Sequence, residues 1–164
     1  MQYSNNDVRR QDRLLTETEA LELLQNGEFG VLSMICENNE VYGIPINYVW
    51  DGETGIYLHC AQEGRKLRAI DKNSSVSFCI IGHTNVISEK FTTEYESIIL
   101  ECTAQRNLPP QERMKAFELI IDKYSTSDKE AGLKSAQGAS HITEIIRLNI
   151  HRWSGKRKKV TPTC

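Results

Sequence analysis

Residues 43–73 read GIPINYVWDGETGIYLHCAQEGRKLRAIDKN, and this stretch predicts the centre of the fold. Its first part is rich in β-branched and aromatic residues, which favour a strand, and Pro45 restricts that strand to an edge, a strand start or an irregular position. The Asp51-Gly52 pair is typical of a tight turn, and residues 56–60 have the composition of a returning strand. We therefore predict a β-hairpin in the first half of this stretch.

The second half of the stretch predicts a short helix with an unusual charge pattern at its start. Gly64 marks a turn, and the residues from Arg65 to about Asn73 have helical spacing. A helix N-terminus already carries partial positive charge and unpaired N–H groups, so Arg65 and Lys66 are locally unfavourable there. A phosphate group would relieve this conflict, because N–H groups, Arg and Lys bind phosphate together. A solvated basic face on a surface helix is the alternative that these residues leave open.

Composition and charge restrict the class of protein. The chain has 164 residues, the size of one domain, so we expect a single domain over residues 1–164 with peripheral tails at 1–13 and 157–164. A net charge of -2 argues against a general nucleic-acid binder. The chain has no apolar run of about 18 residues, the length a membrane span needs, and its first residues lack the apolar centre of a signal peptide. We therefore expect a cytoplasmic protein that binds neither membrane nor nucleic acid.

Cysteines and histidines give no sign of a disulfide framework or a metal site. The five cysteines are odd in number, widely spaced and without a Cys-x-x-Cys pair: Cys36, Cys60, Cys79, Cys102 and Cys164. Free thiols in a reducing compartment fit this pattern. The four histidines show neither a His-x-x-x-His spacing nor a Cys/His cluster, so we expect no structural metal. A lone histidine on a strand, such as His59, is typical of a structural residue, although a catalytic role stays open.

The remaining sequence predicts a mainly β fold with flanking helices, of the α+β class. Thr16 and Glu19 have the spacing of a capping box, for a helix that ends at Gly27. A second helix should begin at Pro109-Pro110 and run to Tyr124. Besides residues 56–60, the predicted strands cover residues 29–36, 41–50, 76–81, 95–104 and 143–153.

Two segments have weak local signals. Residues 86–93 fit either a strand end or a loop, and the sequence does not decide between them. Residues 125–140 are rich in Ser, Gly, Lys and Asp without a clear period, which predicts a flexible loop. That loop would be long enough to cover a site.

The sequence resembles a known family at its most distinctive residues. The run IPINYV at 44–49, followed by IYLHCA at 56–61 and GRK at 64–66, is similar to the flavin-binding split-barrel proteins related to pyridoxamine 5′-phosphate oxidase. The likeness is greatest to the branch that includes the 5-nitroimidazole resistance proteins, and it extends from about Arg9 to Lys159. The resemblance implies a six-stranded antiparallel barrel that forms a homodimer, with one FMN in each of two clefts at the subunit interface.

The resemblance also implies roles for individual residues. Arg65 and Lys66, with the N–H groups around Gly64, would bind the FMN phosphate, and residues 44–48 would lie along the isoalloxazine ring. His59 would lie beside the flavin, where it either donates a proton to a reduced substrate or packs. The candidate contacts with the cofactor are Ile44, Pro45, Ile46, Asn47, Tyr48, His59, Cys60, Ala61, Gly64, Arg65, Lys66, Ser97, Ile98, Trp153 and Lys156.

The implied activity is that of an FMN-dependent oxidoreductase that passes electrons from NADH or NADPH to a small acceptor, such as a nitroimidazole or another nitroaromatic compound. No Gly-x-Gly-x-x-Gly fingerprint follows a strand, so a nicotinamide donor would bind transiently over the flavin. One alternative is a non-catalytic protein that holds flavin, or haem with His59 or His141 as its ligand. Another is pyridoxamine 5′-phosphate oxidase itself, although the family's carboxy-terminal substrate pattern does not match residues 151–154.

Overall fold

The computed structural model describes residues 1–160, so Cys164 and the last residues of the predicted 157–164 tail lie outside the described part. The strands are β1 (Gln2–Tyr3), β2 (Phe29–Ile35), β3 (Val41–Asn47), β4 (Val49–Trp50), β5 (Gly55–Ala61), β6 (Ser75–Ile87), β7 (Thr92–Gln105) and β8 (Thr143–Lys158). The helices are α1 (Glu17–Asn26), α2 (Arg65–Lys72), α3 (Pro110–Tyr124) and α4 (Lys129–Ala139). The predicted mainly β architecture with flanking helices is confirmed.

The strands form one eight-stranded sheet, in the order β3-β2-β6-β7-β8-β5-β4, with β1 joined to β8. Every neighbouring pair is antiparallel except β1 and β8, which are parallel. The prediction of six strands was wrong for two reasons. The chain start adds the short strand β1, and one predicted strand, 41–50, is interrupted at Tyr48.

Contacts with the side chain of Tyr124 explain the interruption at Tyr48. The Tyr48 N–H donates to the Tyr124 hydroxyl at 3.1 Å, and the same hydroxyl donates to the Tyr48 carbonyl oxygen at 2.7 Å. Tyr48 therefore has a side-chain partner in place of a neighbouring strand. As a result, the predicted hairpin is shorter than expected, since only Val49 and Trp50 pair with β5, whereas β3 pairs along its whole length with β2. Pro45 lies on the sheet's edge strand, as predicted.

Local helix signals were reliable. The Thr16 hydroxyl accepts from the Glu19 N–H, and the Glu19 carboxylate accepts from the Thr16 N–H, which confirms the capping box. Helix α2 ends at Lys72 with Asn73 as its C-cap, and α3 begins at Pro110, as the sequence indicates. No helix in residues 1–160 combines the length and the apolar character that a membrane crossing requires.

Residues 125–140 do not form the predicted loop. A short 3₁₀ turn leads into α4, which packs against α3. Gly132 permits this close approach, because a Cβ there would lie 3.1 Å from the Ile121 side chain. Tertiary packing therefore overrides a weak local signal. The 86–93 segment is divided between the end of β6, a 3₁₀ turn at Ser88–Lys90 and the start of β7.

Both predicted tails are partly integrated into the fold. Tyr3 pairs with Trp153 in the sheet, packs against its ring with centroids 4.7 Å apart, and donates from its hydroxyl to the Leu15 carbonyl oxygen at 2.6 Å. Arg157 and Lys158 belong to β8. Arg157 also forms an ion pair with Glu19 of α1, so it is not a solvated tail residue.

Two apolar clusters cover the sheet and thereby position the site. The larger cluster fills the barrel with side chains of β2, β6, β7, β8 and α1, among them Leu32, Phe78 and Leu100. The smaller cluster packs α3 against the other face of β5 and β8 through Tyr57, Phe117 and Ile145. Strands β5 and β8 therefore have apolar contacts on both faces, which fixes the end of β5 where α2 begins.

Candidate functional site

The first turn of α2 concentrates positive charge at the N-terminus of the helix. Gly64 precedes the helix with a φ of 145°, a conformation that glycine adopts readily, and no atom lies within 4 Å of where its Cβ would be. No side chain caps the helix, and its first turn contains no acidic residue. Arg65 and Lys66 therefore add to the positive end of the helix dipole, as the sequence predicts.

Arg65 reaches from α2 to the turn between β2 and β3. Its Nη2 lies 2.9 Å from Oε2 of Glu40, and its guanidinium lies 4.3 Å from the centroid of the Tyr42 ring. A cavity of about 310 Å³ opens between this turn and α2, and Arg68 also lines it. Both partners of the ion pair are exposed, so water weakens the attraction and an anion can compete for the guanidinium.

His59 lies near the end of β5 and pairs with Ile145 of β8. Its side chain is exposed to solvent on one side, yet partial desolvation, and secondly the charge of Lys66, lower the pKa of its imidazole. The neutral form therefore dominates at neutral pH, which favours a hydrogen-bonding role over that of a ready proton donor. Next to it, Cys60 is half-buried against the barrel core, and Ala61 is exposed at the strand end.

Strand β3 presents two different faces. Ile44 and Ile46 are half-buried and pack against the barrel core, whereas Pro45 and Asn47 are exposed on the opposite face. The Asn47 side-chain amide donates to the Glu28 carbonyl oxygen at 3.2 Å. Strand β3 lies at one end of the strand order and pairs only with β2 among residues 1–160, so one of its backbone edges has no ladder partner there.

Three of the predicted contact residues pack in the core of the protomer. The side chains of Tyr48, Ile98 and Trp153 are buried there, with at most 1% of their surface exposed. The Tyr48 ring packs edge-on against Phe78 with centroids 5.3 Å apart, and its hydroxyl donates to the Leu24 carbonyl oxygen at 2.7 Å. Of Ile46 and Tyr48, the two side chains expected at the face of the ring, Tyr48 is therefore buried in the core and Ile46 is half-buried.

Ser97 and Lys156 form a separate group. They pair across β7 and β8, both are half-buried, and the Lys156 Nζ lies 5.9 Å from the centroid of the Tyr95 ring. Lys156 lies near the end of β8 and Ile145 near its start, which separates them by roughly 35 Å of extended chain. One protomer therefore does not place this pair beside His59.

The sequence matches the family model described as pyridoxamine 5′-phosphate oxidase over residues 16–157. The chain belongs to this family. The match covers the capping box of α1, strand β3 and nearly all of β8, so it includes both groups of predicted site residues. No protein of curated function has a significant sequence match to the chain.

Solved structures share the fold at low sequence identity. One is a provisionally assigned 5-nitroimidazole antibiotic resistance protein from Bacteroides thetaiotaomicron, with TM-score 0.71, 13% identity, and coverage of 88% of this chain and 86% of that one. Another is an FAD-binding protein from Mesorhizobium loti, with TM-score 0.66, 17% identity, and coverage of 90% and 98%. A third is an FAD and haem binding protein from Mycobacterium smegmatis, with TM-score 0.69, 16% identity, and coverage of 91% and 74%.

Sequence reasoning missed one contact at this site, made by Glu40, and one buried charged group beside the Tyr48 ring, Lys123. Glu40 holds Arg65 across 25 residues of sequence, and a turn glutamate gives no local sign of such a partner. Lys123 lies on α3, where a single lysine among apolar residues is typical of an exposed face, yet its Nζ is buried. Both features depend on tertiary packing.

Proposed function

We propose that this protein binds FMN in the cleft formed by the free edge of β3, His59 and the first turn of α2. The observation that carries the proposal is the uncapped start of α2, where Arg65 and Lys66 add positive charge and the first turn has no acidic residue. The exposed Glu40, which pairs with Arg65 from the neighbouring turn, can give way to a phosphate. A phosphate dianion satisfies both the N–H groups and the side chains. Two of the solved structures with this fold are described as FAD-binding proteins, which supports a flavin in this cleft.

We infer that the active form is a homodimer. Large apolar side chains are exposed on the outer face of the sheet, where β2, β3, β6 and β7 lie side by side: Phe29, Ile35, Val41, Ile81 and Ile99. Ile35 and Val41 are direct partners across β2 and β3, so the patch is continuous there. Exposed apolar patches of this kind are typical of protein interfaces. A second copy on this face would also supply its Ser97 and Lys156 to the cleft that one protomer leaves incomplete.

The flavin would supply the redox chemistry, accepting electrons from NADH or NADPH and passing them to a small acceptor such as a nitroaromatic compound. The chain's own residues bind and orient it. The start of α2 would hold the phosphate, the edge of β3 would offer backbone groups to the ring, and the neutral His59 would form a hydrogen bond nearby. The solved structure described as a 5-nitroimidazole resistance protein supports this acceptor class.

The first experiment is the visible spectrum of the purified protein with the mass of the compound that denaturation releases. The variant Arg65→Ala/Lys66→Ala should then lose FMN, because it removes two charge-assisted contacts worth about 1.5–3 kcal/mol each. The control is Arg9→Ala/Lys115→Ala, which removes the same charge from exposed positions elsewhere. Circular dichroism shows whether both variants are folded. A folded Arg65→Ala/Lys66→Ala protein with full FMN affinity would exclude this cleft as the phosphate site.

A second candidate function is non-catalytic binding of flavin or haem, because one solved structure of the same fold is described as binding FAD and haem. His59 and His141 are the candidate haem ligands, and both are exposed. The absorption spectrum separates haem from flavin directly. Bound flavin that neither NADH nor NADPH reduces would favour the binding protein over the oxidoreductase.

The role of His59 has its own test. His59→Ala should keep FMN and slow the reduction of the acceptor, because a hydrogen bond beside the ring is lost while the phosphate site remains. Stopped-flow absorbance of the bound flavin measures both steps. An unchanged rate would assign His59 to packing.

A further inference from the structure

A second cavity, of about 740 Å³, lies beside the break between β3 and β4. The last turns of α1 and α3 enclose it, and Asn47 and Trp50 line it from either side of the break. Asn47 also belongs to the strand that we propose lies along the flavin ring. The cavity therefore begins where the proposed ring site ends.

Lys123 gives this cavity its chemical character. Its Nζ is buried and has no hydrogen-bond acceptor among residues 1–160. It lies 3.9 Å from the centroid of the Tyr48 ring and 5.5 Å from that of Tyr124, so aromatic faces are its contacts. A buried ammonium without an oxygen acceptor is costly. Lys123 lines the cavity, so rotation of its flexible side chain towards an acceptor atom there would relieve that cost.

The surroundings of Lys123 define its charge state. Desolvation lowers its pKa to about 8, and the charge of Glu28, in the turn after α1, opposes this shift. Asp122, next to it on α3, also lines the cavity and is paired with Lys129 at 2.7 Å. The ammonium form is therefore dominant at pH 7 and is lost as the pH rises through about 8.

The rest of the lining selects against anions. Glu28 and Asp122 place carboxylates at the cavity, and α1 and α3 both end there, which directs the partial negative charge of their last carbonyl groups towards it. Trp50 supplies a flat aromatic surface, and its indole N–H is held by the Glu53 carbonyl oxygen at 3.3 Å. A flat, uncharged molecule with an oxygen acceptor suits all of these groups together.

We propose that this cavity binds an uncharged, planar aromatic compound whose nitro or carbonyl oxygen accepts a hydrogen bond from Lys123. The proposal gives a binding site to the electron acceptor of the proposed flavoprotein, and it rests on that proposed function wherever electron transfer is concerned. Binding of the compound to the cavity does not itself require flavin. Lys123 orients the ligand in this scheme, and Trp50 packs against its ring.

The test compares two ligands of similar shape by isothermal titration calorimetry at pH 7. In 4-nitrobenzyl alcohol the nitro group accepts hydrogen bonds, and in 4-isopropylbenzyl alcohol a group of similar size does not. The wild-type protein, as purified and with its flavin content measured, should bind the nitro compound about tenfold more tightly. Lys123→Met should abolish this preference, and Lys123→Arg should retain part of it. Lys115→Met, a control on an exposed position of the same helix, should leave the preference unchanged.

A pH series on the wild-type protein keeps the test decisive if the Lys123→Met variant does not fold. The preference for the nitro compound should decline between pH 7 and pH 9.5, because Lys123 loses its proton in this range. Absence of a preference in the wild-type protein, or a preference that survives both in folded Lys123→Met and at pH 9.5, would overturn the proposal. A Lys123-dependent preference in protein that neither contains nor binds flavin would uphold the cavity assignment and refute the proposed function instead.

Discussion

Replacing Arg147 with methionine should lower the free energy of unfolding by about 3 kcal/mol, because this arginine joins four elements. Its guanidinium donates to Oδ2 of Asp51 at 3.0 Å, to Oε1 of Glu112 at 2.9 Å and to the Tyr57 hydroxyl at 2.8 Å. The Nε donates to Oδ1 of Asn149 at 2.8 Å. Arg147 therefore connects β8 with β5, with the turn after β4 and with the first turn of α3.

The magnitude follows from the exposure of the groups left behind. Removing one partner of a buried ion pair costs about 3–5 kcal/mol. The Asp51 side chain is 2% exposed and would lose its charged partner, although the N–H groups of Glu53 and Gly55 still donate to its other oxygen. The Glu112 side chain is 24% exposed, so water can replace the lost contact there. We therefore expect the low end of the range, with a fall in Tm of about 6–12 °C for a chain of this size.

Urea unfolding followed by circular dichroism measures this loss. The control is Arg152→Met on the same strand, whose side chain is 45% exposed and whose ion pairs with Asp7 and Glu101 both measure 2.8 Å. Exposed ion pairs contribute about 0–1 kcal/mol to the free energy of unfolding, so Arg152→Met should have nearly the wild-type stability. If Arg147→Met costs no more than Arg152→Met, the buried network does not stabilise the fold, and the reasoning from burial is refuted.

Three further predictions test packing, the phosphate site and the helix cap. Gly30→Ala should lower the free energy of unfolding in urea by about 2–3 kcal/mol, because the added Cβ would overlap the Phe78 ring. A urea midpoint equal to that of the wild type would contradict this prediction. Glu40→Gln should tighten FMN binding about threefold in calorimetry, because it frees Arg65 for the phosphate, and should leave the affinity for riboflavin, which has no phosphate, unchanged. Weaker FMN binding would show instead that the Glu40 carboxylate positions Arg65 for the phosphate. Hydrogen bonds, of which the largest effect is that of the Thr16 N–H, lower the pKa of the Glu19 carboxyl from 4.5 to about 2. The ionised Glu19 therefore stabilises the folded protein fully above pH 4.5, and this contribution is lost as the pH falls towards 2. Glu19→Gln should therefore cost about 1 kcal/mol at pH 7, with the difference from wild type shrinking by pH 3 in unfolding measurements, and a constant difference would exclude this linkage.

Local signals predicted the elements whose cause lies within a few residues. The capping box of Thr16 and Glu19, the glycine turn at Gly64 and the start of α3 at Pro110 are all short-range features. Strand positions followed from apolar and β-branched runs, although β6, β7 and β8 extend beyond their predicted ends. The extension of β6 pairs with the start of β7, and the extension of β8 pairs with the central part of β7. Pairing with a neighbouring strand therefore stabilises these segments without a continuous apolar pattern in the sequence.

Long-range contacts explain the features that were not predicted. The break at Tyr48 depends on the Tyr124 hydroxyl, 76 residues away in the chain. Helix α4 depends on the fit of Gly132 against Ile121, and the burial of Lys123 depends on its contact with the Tyr48 ring. None of these three features is marked in the sequence by a hydrophobic period or a motif. The proposed phosphate site could be read from the sequence because its residues are consecutive. The ion pair of Arg65 with Glu40 could not, because Glu40 lies on a different turn.

The two ends of α3 are held by different contacts. The effect of the Arg147 network on the unfolding free energy can therefore be measured separately from ligand binding at Lys123. Glu112 joins the first turn to Arg147, and Tyr124 joins the last turn to the backbone of Tyr48. These anchors lie roughly 18 Å apart along the helix. A loss at Arg147 should therefore lower the unfolding free energy and leave the ligand preference at Lys123 unchanged. If both change together, α3 moves as a rigid body, and the cavity depends on the buried ion network at its far end.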